Sequence, residues 1–380
     1  MRLTPEGSRR RRSGLLERVQ ADLIVISNPR NVLYYTGFRA SELSLGGWGP
    51  AMLAIDARGE STLITHNFAT GGLEACDVDR TEVWTWYDPT RSSGTAIWRR
   101  GAEVAQGVLG ELLADKSSPR IGYEAGTLPV DVLPPGIDPE LLDITDVILM
   151  QRRQKHPDEV ALIRRAVEIG AVGHETARKI LKPGMTEIGL YAALLDAMTV
   201  SAGEGVNLIS DVLSGPRCRE GSGAPSGRVI EAGDSVILDL NPYVDGYRSD
   251  YTSTLVLRDE LTAAEAHAEK TLHEALRAGE ALLRPGNGAA SVYKVVDHVL
   301  HGAGYSEGLL HHAGHGLGLG HPEAPYFVPE SDEILMIGDI VTLEPGVYGE
   351  EVSARIEHNY LITESGFERL SGHETSFLIR

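Results

Sequence analysis

The second half of the chain contains a repeat in which an apolar strand carries a carboxylate at its end. Gly233–Asp239 reads GDSVILD and Gly338–Glu344 reads GDIVTLE, four identical positions of seven at an offset of 105 (344 − 239). Asp250 and Glu357 fall in the next strand of each copy, at an offset of 107 (357 − 250). Paired carboxylates at matching positions make chance an unsatisfactory explanation. The repeat predicts two similar helix-plus-hairpin units, which would gather four acids if they packed about a pseudo-twofold axis.

The first copy shows why these acids point to a cation. Ser235–Leu240 is apolar and branched, which predicts a buried strand, and Tyr251–Leu257 alternates as a second strand should. Asn241–Ser249 has the Asn, Pro, Asp and Gly of a turn. The hairpin would bring Asp239 close to Asp250. Two carboxylates in an apolar setting repel each other unless a proton or a cation lies between them.

A histidine-rich stretch supplies further candidate ligands. Leu309–His321 reads LLHHAGHGLGLGH and holds His311, His312, His315 and His321. Its glycines allow the backbone to approach a site closely. Four carboxylates with one imidazole suit Mn²⁺, Fe²⁺, Co²⁺ or Zn²⁺, unlike a thiolate-built structural zinc site. A charge of about −4 would balance two divalent ions, which can share a hydroxide, lower its pKa to about 7 and support hydrolysis.

The composition indicates an ordinary globular protein. The chain has 380 residues with 42% hydrophobic and 23% charged side chains, enough for one large or two ordinary domains. Its net charge of −19 argues against nucleic acid or an anionic membrane as a partner. The basic run Arg9–Arg12 is interpreted as a solvated stretch before a first helix. Two cysteines and no apolar leader or membrane-length run favour a cytoplasmic enzyme.

Eight stretches spread over essentially the whole chain carry a resemblance to known enzymes. They are NPRNVLYYTGF (28–38), QRRQKHPDEVALIRRA (151–166), SGPR (214–217), PSGRVIEAGDSVILDL (225–240), GYRSDYTST (246–254), HHAGHGLGLGHPEAP (311–325), LEPGVY (343–348) and ARIEHNYLIT (354–363). These stretches resemble the aminopeptidase P, prolidase and creatinase family. The resemblance implies an α+β protein, with a creatinase-like α/β domain at 1–150 and a pita-bread catalytic domain with internal pseudo-twofold duplication at 151–380.

The resemblance also implies roles for individual residues. Asp239 would hold one metal ion, Asp250 and Glu357 would bridge two, and His315 with Glu344 would hold the second. His311 would bind substrate, and Arg355 would orient the last ligand or the substrate. In the family a bridging hydroxide attacks the scissile carbonyl, with Glu344 assisting proton transfer. The family further implies two divalent ions, Mn²⁺ before Zn²⁺, Co²⁺ or Fe²⁺, and a homodimer.

Three departures from the family pattern leave the substrate open. Ser222 replaces the histidine before G-x-P-S, and Ser253 replaces arginine in D-x-T-R-T. Pro322 replaces the histidine before E-x-P, although His321 lies one residue earlier and could reach the site. The expected function is an Xaa-Pro dipeptidase or aminopeptidase. A hydrolase or lyase acting on a small amide, amidine or sulfonium compound, and a catalytically silent binding protein, are the alternatives.

Overall fold

The chain forms two compact units, Met1–Arg152 and Arg153–Arg380. The computed structural model describes residues 1–39, 51–86, 88–90, 97–305 and 309–379. Among these residues no helix combines the length and the apolar character needed to cross a bilayer. The predicted division between residues 150 and 151 falls inside helix α4 (Thr145–Arg153), two residues before the boundary of the units.

The first unit is built on a six-stranded mixed sheet in the order β4-β3-β2-β1-β5-β6. Strands β1, β2 and β3 pair antiparallel, whereas β3–β4, β1–β5 and β5–β6 pair parallel. The strands are β1 (Leu23–Ile26), β2 (Met52–Asp56), β3 (Ser61–His66), β4 (Arg80–Trp84), β5 (Arg120–Tyr123) and β6 (Glu140–Asp143). The three antiparallel strands β1, β2 and β3 are buried throughout and form the inner part of this sheet.

Helices complete this unit: α1 (Pro5–Arg18), α2 (Pro29–Thr36), α3 (Ile97–Leu112), α4 and 3-10 turns at Asn67–Ala75 and Val130–Val132. The interpretation of Arg9–Arg12 as a solvated stretch before the first helix is wrong. The run lies inside α1, and Arg11 and Arg12 are buried. Each donates to a carbonyl in the last turn of α2, where a helix has unpaired acceptors and partial negative charge.

The first repeat of the second unit is a helix pair followed by a small antiparallel sheet. It comprises α5 (Pro157–Ile180), α6 (Glu187–Ala202), β7 (Asn207–Ser214), a 3-10 turn (Gly215–Glu220), β8 (Ser235–Val244), β9 (Tyr247–Arg248) and β10 (Thr252–Val256). The sheet order is β10-β8-β7, with β9 also on β8. The expected turn over 241–249 is too long. β8 continues to Val244, and the chain reverses at Asp245 and Gly246, whose φ of +48° and +86° suit a tight hairpin turn.

The second repeat has the same order with a larger sheet, β12-β11-β13-β16-β17, and a separate pair β14-β15. Its elements are α7 (Ala263–Glu280), α8 (Ala289–Gly302), β11 (His315–Gly316), β12 (Glu323–Tyr326), β13 (Ile340–Leu343), β14 (Gly346–Tyr348), β15 (Ser353–Arg355), β16 (His358–Thr363) and β17 (Gly366–Arg369). Buried aliphatic side chains of α7, α8 and β13 form a core in this repeat.

The duplication extends to single backbone hydrogen bonds. Gly184 N donates to Ile230 O in the first repeat, and Gly286 N donates to Leu335 O in the second. The bridge Thr186–Val229 likewise has its counterpart in Gly288–Ile334. Both pairs have the same offsets, 102 between their first members and 105 between their second, and the latter is the offset of the repeated strands in the sequence. This correspondence and the fold class agree with the α+β, internally duplicated domain that the sequence predicts.

Candidate metal centre and active site

The four repeated carboxylates lie on or directly beside paired strands of the two repeats. Asp239 is in β8, and Asp250 lies two residues before β10. Glu344 directly follows β13, and Glu357 directly precedes β16. A hydrogen bond from Glu357 N to Thr252 O ties the strand ends of the two repeats together. The register of each hairpin therefore brings the two acids of one copy near those of the other.

These side chains and three histidines form three overlapping groups of three residues. Within each group the ligand atoms lie within 4.8 Å of one another. Asp250 belongs to two groups and His315 to two, so the groups are continuous. Among the described residues, all five expected metal ligands fall in this cluster, as does His321. The groups are Asp239–Asp250–Glu357, Asp250–His315–His321 and His312–His315–Glu344.

The His315 ring is oriented as a metal ligand should be. Its Nδ1 lies 2.8 Å from Gly316 O, and a carbonyl only accepts, so Nδ1 carries the proton. Burial lowers the pKa of His315, which keeps the ring neutral. The Nε2 lone pair then faces Asp250 Oδ2 at 3.5 Å and Glu344 Oε1 at 3.7 Å. A lone pair facing two carboxylate oxygens is favourable only with a cation between them. The hydrogen bond from Nδ1 to Gly316 O fixes the orientation of the ring, as is usual for histidines that bind metal.

The carboxylates cannot all ionise without added positive charge. Burial, with Asp250 nearby, raises the pKa of Asp239 to about 8. Burial also raises the pKa of Glu357 well above its ordinary value, and Glu344 adds to the effect. Burial opposes ionisation of Asp250 too, but Arg248 and the neighbouring histidines lower its pKa. The remaining acid, Glu344, is similar, since His312 and His311 outweigh burial and lower its pKa.

Two carboxylate oxygens in this cluster, Asp239 Oδ1 and Asp250 Oδ2, are buried and lack a standard hydrogen bond from any described residue. Asp250 Oδ2 has His321 Nε2 at 2.7 Å, which leaves Asp239 Oδ1 as the oxygen without such a neighbour. An unpaired buried carboxylate oxygen costs free energy unless a cation binds it. Together with the His315 lone pair and the oxygen-rich donor set, this atom makes the cluster a good fit for divalent metal ions.

The Arg355 guanidinium uses all of its donors inside the protein. Its side chain is buried, and each of its five N–H groups has an acceptor within 3.3 Å. Of the two expected roles, orienting a ligand therefore fits and binding substrate does not. It contacts Asp239 directly and reaches Glu357 through Thr252, whose hydroxyl donates to Glu357. The five acceptors are Thr252 Oγ1, Gly221 O, Tyr348 OH, Asp211 Oδ2 and Asp239 Oδ2.

His311 lies beside the cluster, as expected, and its protonation can be assigned from its partners. Nδ1 is 2.7 Å from His312 O, so this nitrogen donates. Burial lowers the pKa of His311, so Nε2 is free to accept from Tyr348 OH at 2.8 Å. Its Nδ1 is 3.7 Å from Glu344 Oε2. His311 is thus a neutral imidazole next to a candidate ligand.

His321 reaches the cluster from the altered loop. Its Nε2 lies 2.7 Å from Asp250 Oδ2, and the side chain is 35% exposed. A buried ion pair fixes the loop, because Lys155 Nζ lies 2.7 Å from Glu323 Oε1, while Glu323 Oε2 accepts from Gly320 N. A Cβ at Gly318 would clash with Glu323 Oε1, so a larger residue there would displace the carboxylate of this ion pair.

The two serine replacements have structural partners. Exposed Ser222 donates to Asp211 Oδ1 at 3.1 Å, and Gly223 N donates to the same oxygen. Buried Ser253 pairs with His174 Nδ1 at 2.8 Å, away from the candidate ligands. An acidic side chain thus anchors the loop at Ser222.

Sequence reasoning missed two side chains of this site. His312 was only one member of a histidine-rich stretch, although its Nε2 is 3.1 Å from Glu344 Oε1. Asp211 was not singled out, although β7–β8 pairing sets it opposite Asp239. A signal for His312 was available in its spacing from His315. No signal for Asp211 existed, because cross-strand register is a tertiary property.

Known protein families account for both parts of the chain. Residues 161–364 match metallopeptidase family M24, and residues 9–166 match the creatinase/prolidase N-terminal domain. The first match alone covers more than half of the chain and includes every residue of the cluster.

Individual relatives agree with this assignment. The chain is 31% identical to the Xaa-Pro dipeptidase of Pyrococcus furiosus over 240 residues, 63% of this chain and 69% of that protein. It is 31% identical to the probable dipeptidase PepE of Mycobacterium tuberculosis over 299 residues, 78% of this chain and 73% of the relative. The match to the putative dipeptidase YkvY of Bacillus subtilis, at 28% identity, spans 62% of that protein.

Solved structures share the fold along nearly the whole chain. The prolidase from Pyrococcus furiosus superposes with a TM-score of 0.77 at 25% identity, covering 94% of this chain and 98% of that one. The Xaa-Pro dipeptidase from Bacillus anthracis gives a TM-score of 0.82 at 24% identity, with 99% of both chains covered, which is a likeness in fold. The chain belongs to metallopeptidase family M24, with a creatinase/prolidase-type N-terminal domain, and is a metallopeptidase-type hydrolase.

Proposed function

We propose that this protein is a dinuclear metal-dependent peptidase that cleaves Xaa-Pro bonds, as a dipeptidase or an aminopeptidase. The observation that carries the proposal is the convergence of five ligand-type side chains, from both repeats, in overlapping groups. The Xaa-Pro dipeptidase and dipeptidase names of similar proteins support the substrate class.

In this proposal Asp239 would hold one ion and His315 with Glu344 would hold the other, while Asp250 and Glu357 would be shared between them. Bound ions would supply Lewis-acid polarisation of a substrate carbonyl and a water of lowered pKa. Mn²⁺ is the first candidate because the donor set is mainly oxygen, with Zn²⁺, Co²⁺ and Fe²⁺ as alternatives.

The protein's own groups would divide the remaining tasks. Glu344 is the candidate proton carrier, since His312 and His311 favour its ionised form and so allow it to accept a proton. His321 is the candidate substrate-binding imidazole, because it lies at the cluster and remains partly exposed. His311, hydrogen-bonded to Tyr348, would line the same side as Glu344. Arg355 would orient Asp239 and Thr252.

Ser222 favours an alternative function for this site. Its hydroxyl donates to Asp211, so the position of the family's histidine holds a serine tied to an additional acid. This difference favours a small amide, amidine or sulfonium compound as an alternative substrate. A silent binding protein is the third possibility. It is disfavoured because the complete ligand set would serve no purpose there.

We also propose that the protein is a cytoplasmic homodimer acting on small peptides. Both cysteines, Cys76 and Cys218, are free thiols, as expected in a reducing compartment. Closed twofold dimers are the commonest soluble assembly. Light scattering at several concentrations gives the mass of the assembly directly, and a monomer at all of them contradicts the dimer.

The test compares chelated protein with protein loaded with Mn²⁺, Co²⁺ or Zn²⁺. Substrates are Xaa-Pro dipeptides and tripeptides, the same peptides with Ala in place of Pro, and a panel of small amides, amidines and sulfonium compounds. We expect metal-dependent release of Xaa from Xaa-Pro peptides, and loss of at least 100-fold in kcat for Glu344→Gln, in line with proton-transfer catalysis. Asp259→Asn, an exposed acid outside the cluster, is the matched control.

The outcomes separate the three functions. Turnover confined to the small-molecule panel rejects the peptidase in favour of the alternative. Stoichiometric metal with no turnover on any substrate leaves the binding protein. Equal rates with Pro and Ala peptides reject Xaa-Pro specificity but keep the metallopeptidase.

A further inference from the structure

His312 lies in the cluster but is absent from the expected set of five metal ligands. Its Nε2 is 3.1 Å from Glu344 Oε1, and its ring lies perpendicular to that of His315, with centroids 4.9 Å apart. His312, His315 and Glu344 each offer one ligand atom within 4.8 Å of the other two. Two imidazoles and a carboxylate therefore converge on one point.

The backbone holds His312 in this place. His311 Nδ1 donates to the carbonyl of His312 at 2.7 Å. The next residue, Ala313, is hydrogen-bonded through N to Phe327 and through O to Glu344 N, each at 2.9 Å. His312 is thus tied by its neighbours to the same strand end that carries Glu344. Such support is what keeps ligands in position at metal sites.

The other end of the cluster has different chemistry. Asp239, Asp250 and Glu357 form a group with oxygen donors alone. Carboxylate oxygens suit Mn²⁺ and Mg²⁺, whereas imidazole nitrogens suit Zn²⁺, Fe²⁺ and related ions. The two ends of one continuous cluster therefore differ in the ions they should prefer.

We propose that His312 is an additional metal ligand, so that the centre has one oxygen-only position and one position with two imidazoles. This inference rests on the metal centre of the proposed function. It predicts that a mixture of ions loads unequally, with Zn²⁺ at the imidazole position and Mn²⁺ at the oxygen position. His312 thereby becomes the residue that sets metal selectivity in this chain.

A simple ion pair between His312 and Glu344 explains the contact less well. A charged imidazolium there would stand next to any ion held by His315 and Glu344 and would repel it. A neutral imidazole avoids this repulsion and adds a donor. The His312 side chain is also 30% exposed, so solvent and ions can reach it.

The experiment uses the full-length protein as wild type, His312→Gln, His312→Ala and the control His301→Gln, an exposed histidine on α8. Metal-free protein is equilibrated with equal Mn²⁺ and Zn²⁺, and bound metal is counted by elemental analysis after removal of free ions. Wild type and His301→Gln should hold one of each ion. Both His312 variants should exchange Zn²⁺ for Mn²⁺, and one Zn²⁺ dissociation constant should rise on the order of 10–100-fold. Mutation of residues that only hydrogen-bond to a metal ligand already reduces metal affinity by this much.

Cobalt provides a second readout that does not depend on activity. Co²⁺ titration of wild type should give a visible absorption band that changes in both His312 variants, and added imidazole should restore it in His312→Ala. Unchanged Zn²⁺ affinity, metal ratio and Co²⁺ spectrum in the two variants would overturn the inference. Wild-type protein that binds metal but cleaves no substrate counts against the proposed function alone, because the His312 comparison still reports on ligation. Circular dichroism of each variant excludes misfolding as the cause of a loss.

Discussion

At the scale of single residues, the pairing of Arg355 with two acids controls the charge of the site. Asp239 and Asp211 share Nη2 of Arg355, at 2.9 and 3.3 Å. If two divalent ions balance the four repeated carboxylates, Asp211 is left to balance the arginine. Its Oδ1 also anchors Ser222 and Gly223, so one acidic side chain both neutralises a cation and shapes a loop.

The substitution Asp211→Asn should weaken metal binding. Asparagine keeps an oxygen for Ser222 and Gly223, but its amide would face Arg355 and leave that charge unbalanced beside Asp239. An uncompensated cation repels a divalent ion, so we expect the affinity for metal to fall by about 10–100-fold, the range for outer partners of ligands. Competition with a fluorescent chelator measures the change. Wild-type affinity in Asp211→Asn, with Asp259→Asn as control, would contradict this assignment.

At the scale of elements, a cluster of buried and half-buried histidines joins α5, the start of β10, β16 and the C-terminal segment. The His373 ring lies 4.6 Å from His174 and 4.7 Å from His358, between centroids. Its Nε2 donates to Thr252 O at 3.0 Å, while Nδ1 is buried without a hydrogen bond from any described residue. Burial lowers the pKa of His373 to about 4 and that of His174 well below its ordinary value. These elements therefore pack around neutral rings.

Folding should consequently weaken in mild acid. The unfolded chain protonates His373 near pH 6.5, but the folded protein only near pH 4. The unfolded state thus binds more protons in this window, and stability is lost as pH falls from 6.5 towards 4, by about 3 kcal/mol for this group. Urea unfolding of chelated protein at steps from pH 7.5 to 4.5 measures it. His373→Gln keeps the donor to Thr252 and should flatten the profile, while His301→Gln should not. Parallel profiles for wild type and His373→Gln would refute the prediction.

At the scale of the whole molecule, every candidate metal ligand found among the described residues lies in Arg153–Arg380, the second unit. The four carboxylates of the cluster resist joint ionisation when no cation is bound. The second unit should therefore have a lower free energy of unfolding without metal than with it. Metal binding should therefore stabilise one unit selectively, since a ligand stabilises only the structure that binds it.

Metal removal tests this division. Adding Mn²⁺ or Zn²⁺ to chelated protein at about 100 times the dissociation constant should stabilise the second unit by about 2.7 kcal/mol. Hydrogen exchange should place the added protection within Arg153–Arg380, around β8, β10, β13 and β16. Glu357→Gln, which removes one candidate ligand, should reduce it. Equal protection of both units would show that the ions act elsewhere.

Much of this arrangement could be predicted because it is written as a pattern along the chain. The GD-x-V-x-L repeat identifies Asp239 and Glu344, and the following strands identify Asp250 and Glu357. Strand pairing within each hairpin is local, so alternation and turn residues indicate which carboxylates meet. The length of β8 was harder to predict, because Asn241 and Pro242 favour a turn, whereas pairing with β7 keeps them in the strand.

Other features were decided by contacts that no local pattern contains. The sequence predicts that Arg11 and Arg12 are solvated, but both are buried in the structure and donate hydrogen bonds to carbonyls of α2. Asp211 gains its role only because β7 pairs with β8 in one register. The sequence by itself determined which four acids could hold metal, since duplication and side-chain chemistry are local properties, whereas the choice of His315 among the histidines rested on the family resemblance. Only the tertiary structure decided that Asp211 pairs with Arg355 and that His312 lies against Glu344, because charge balance in a buried cluster depends on distances between remote segments.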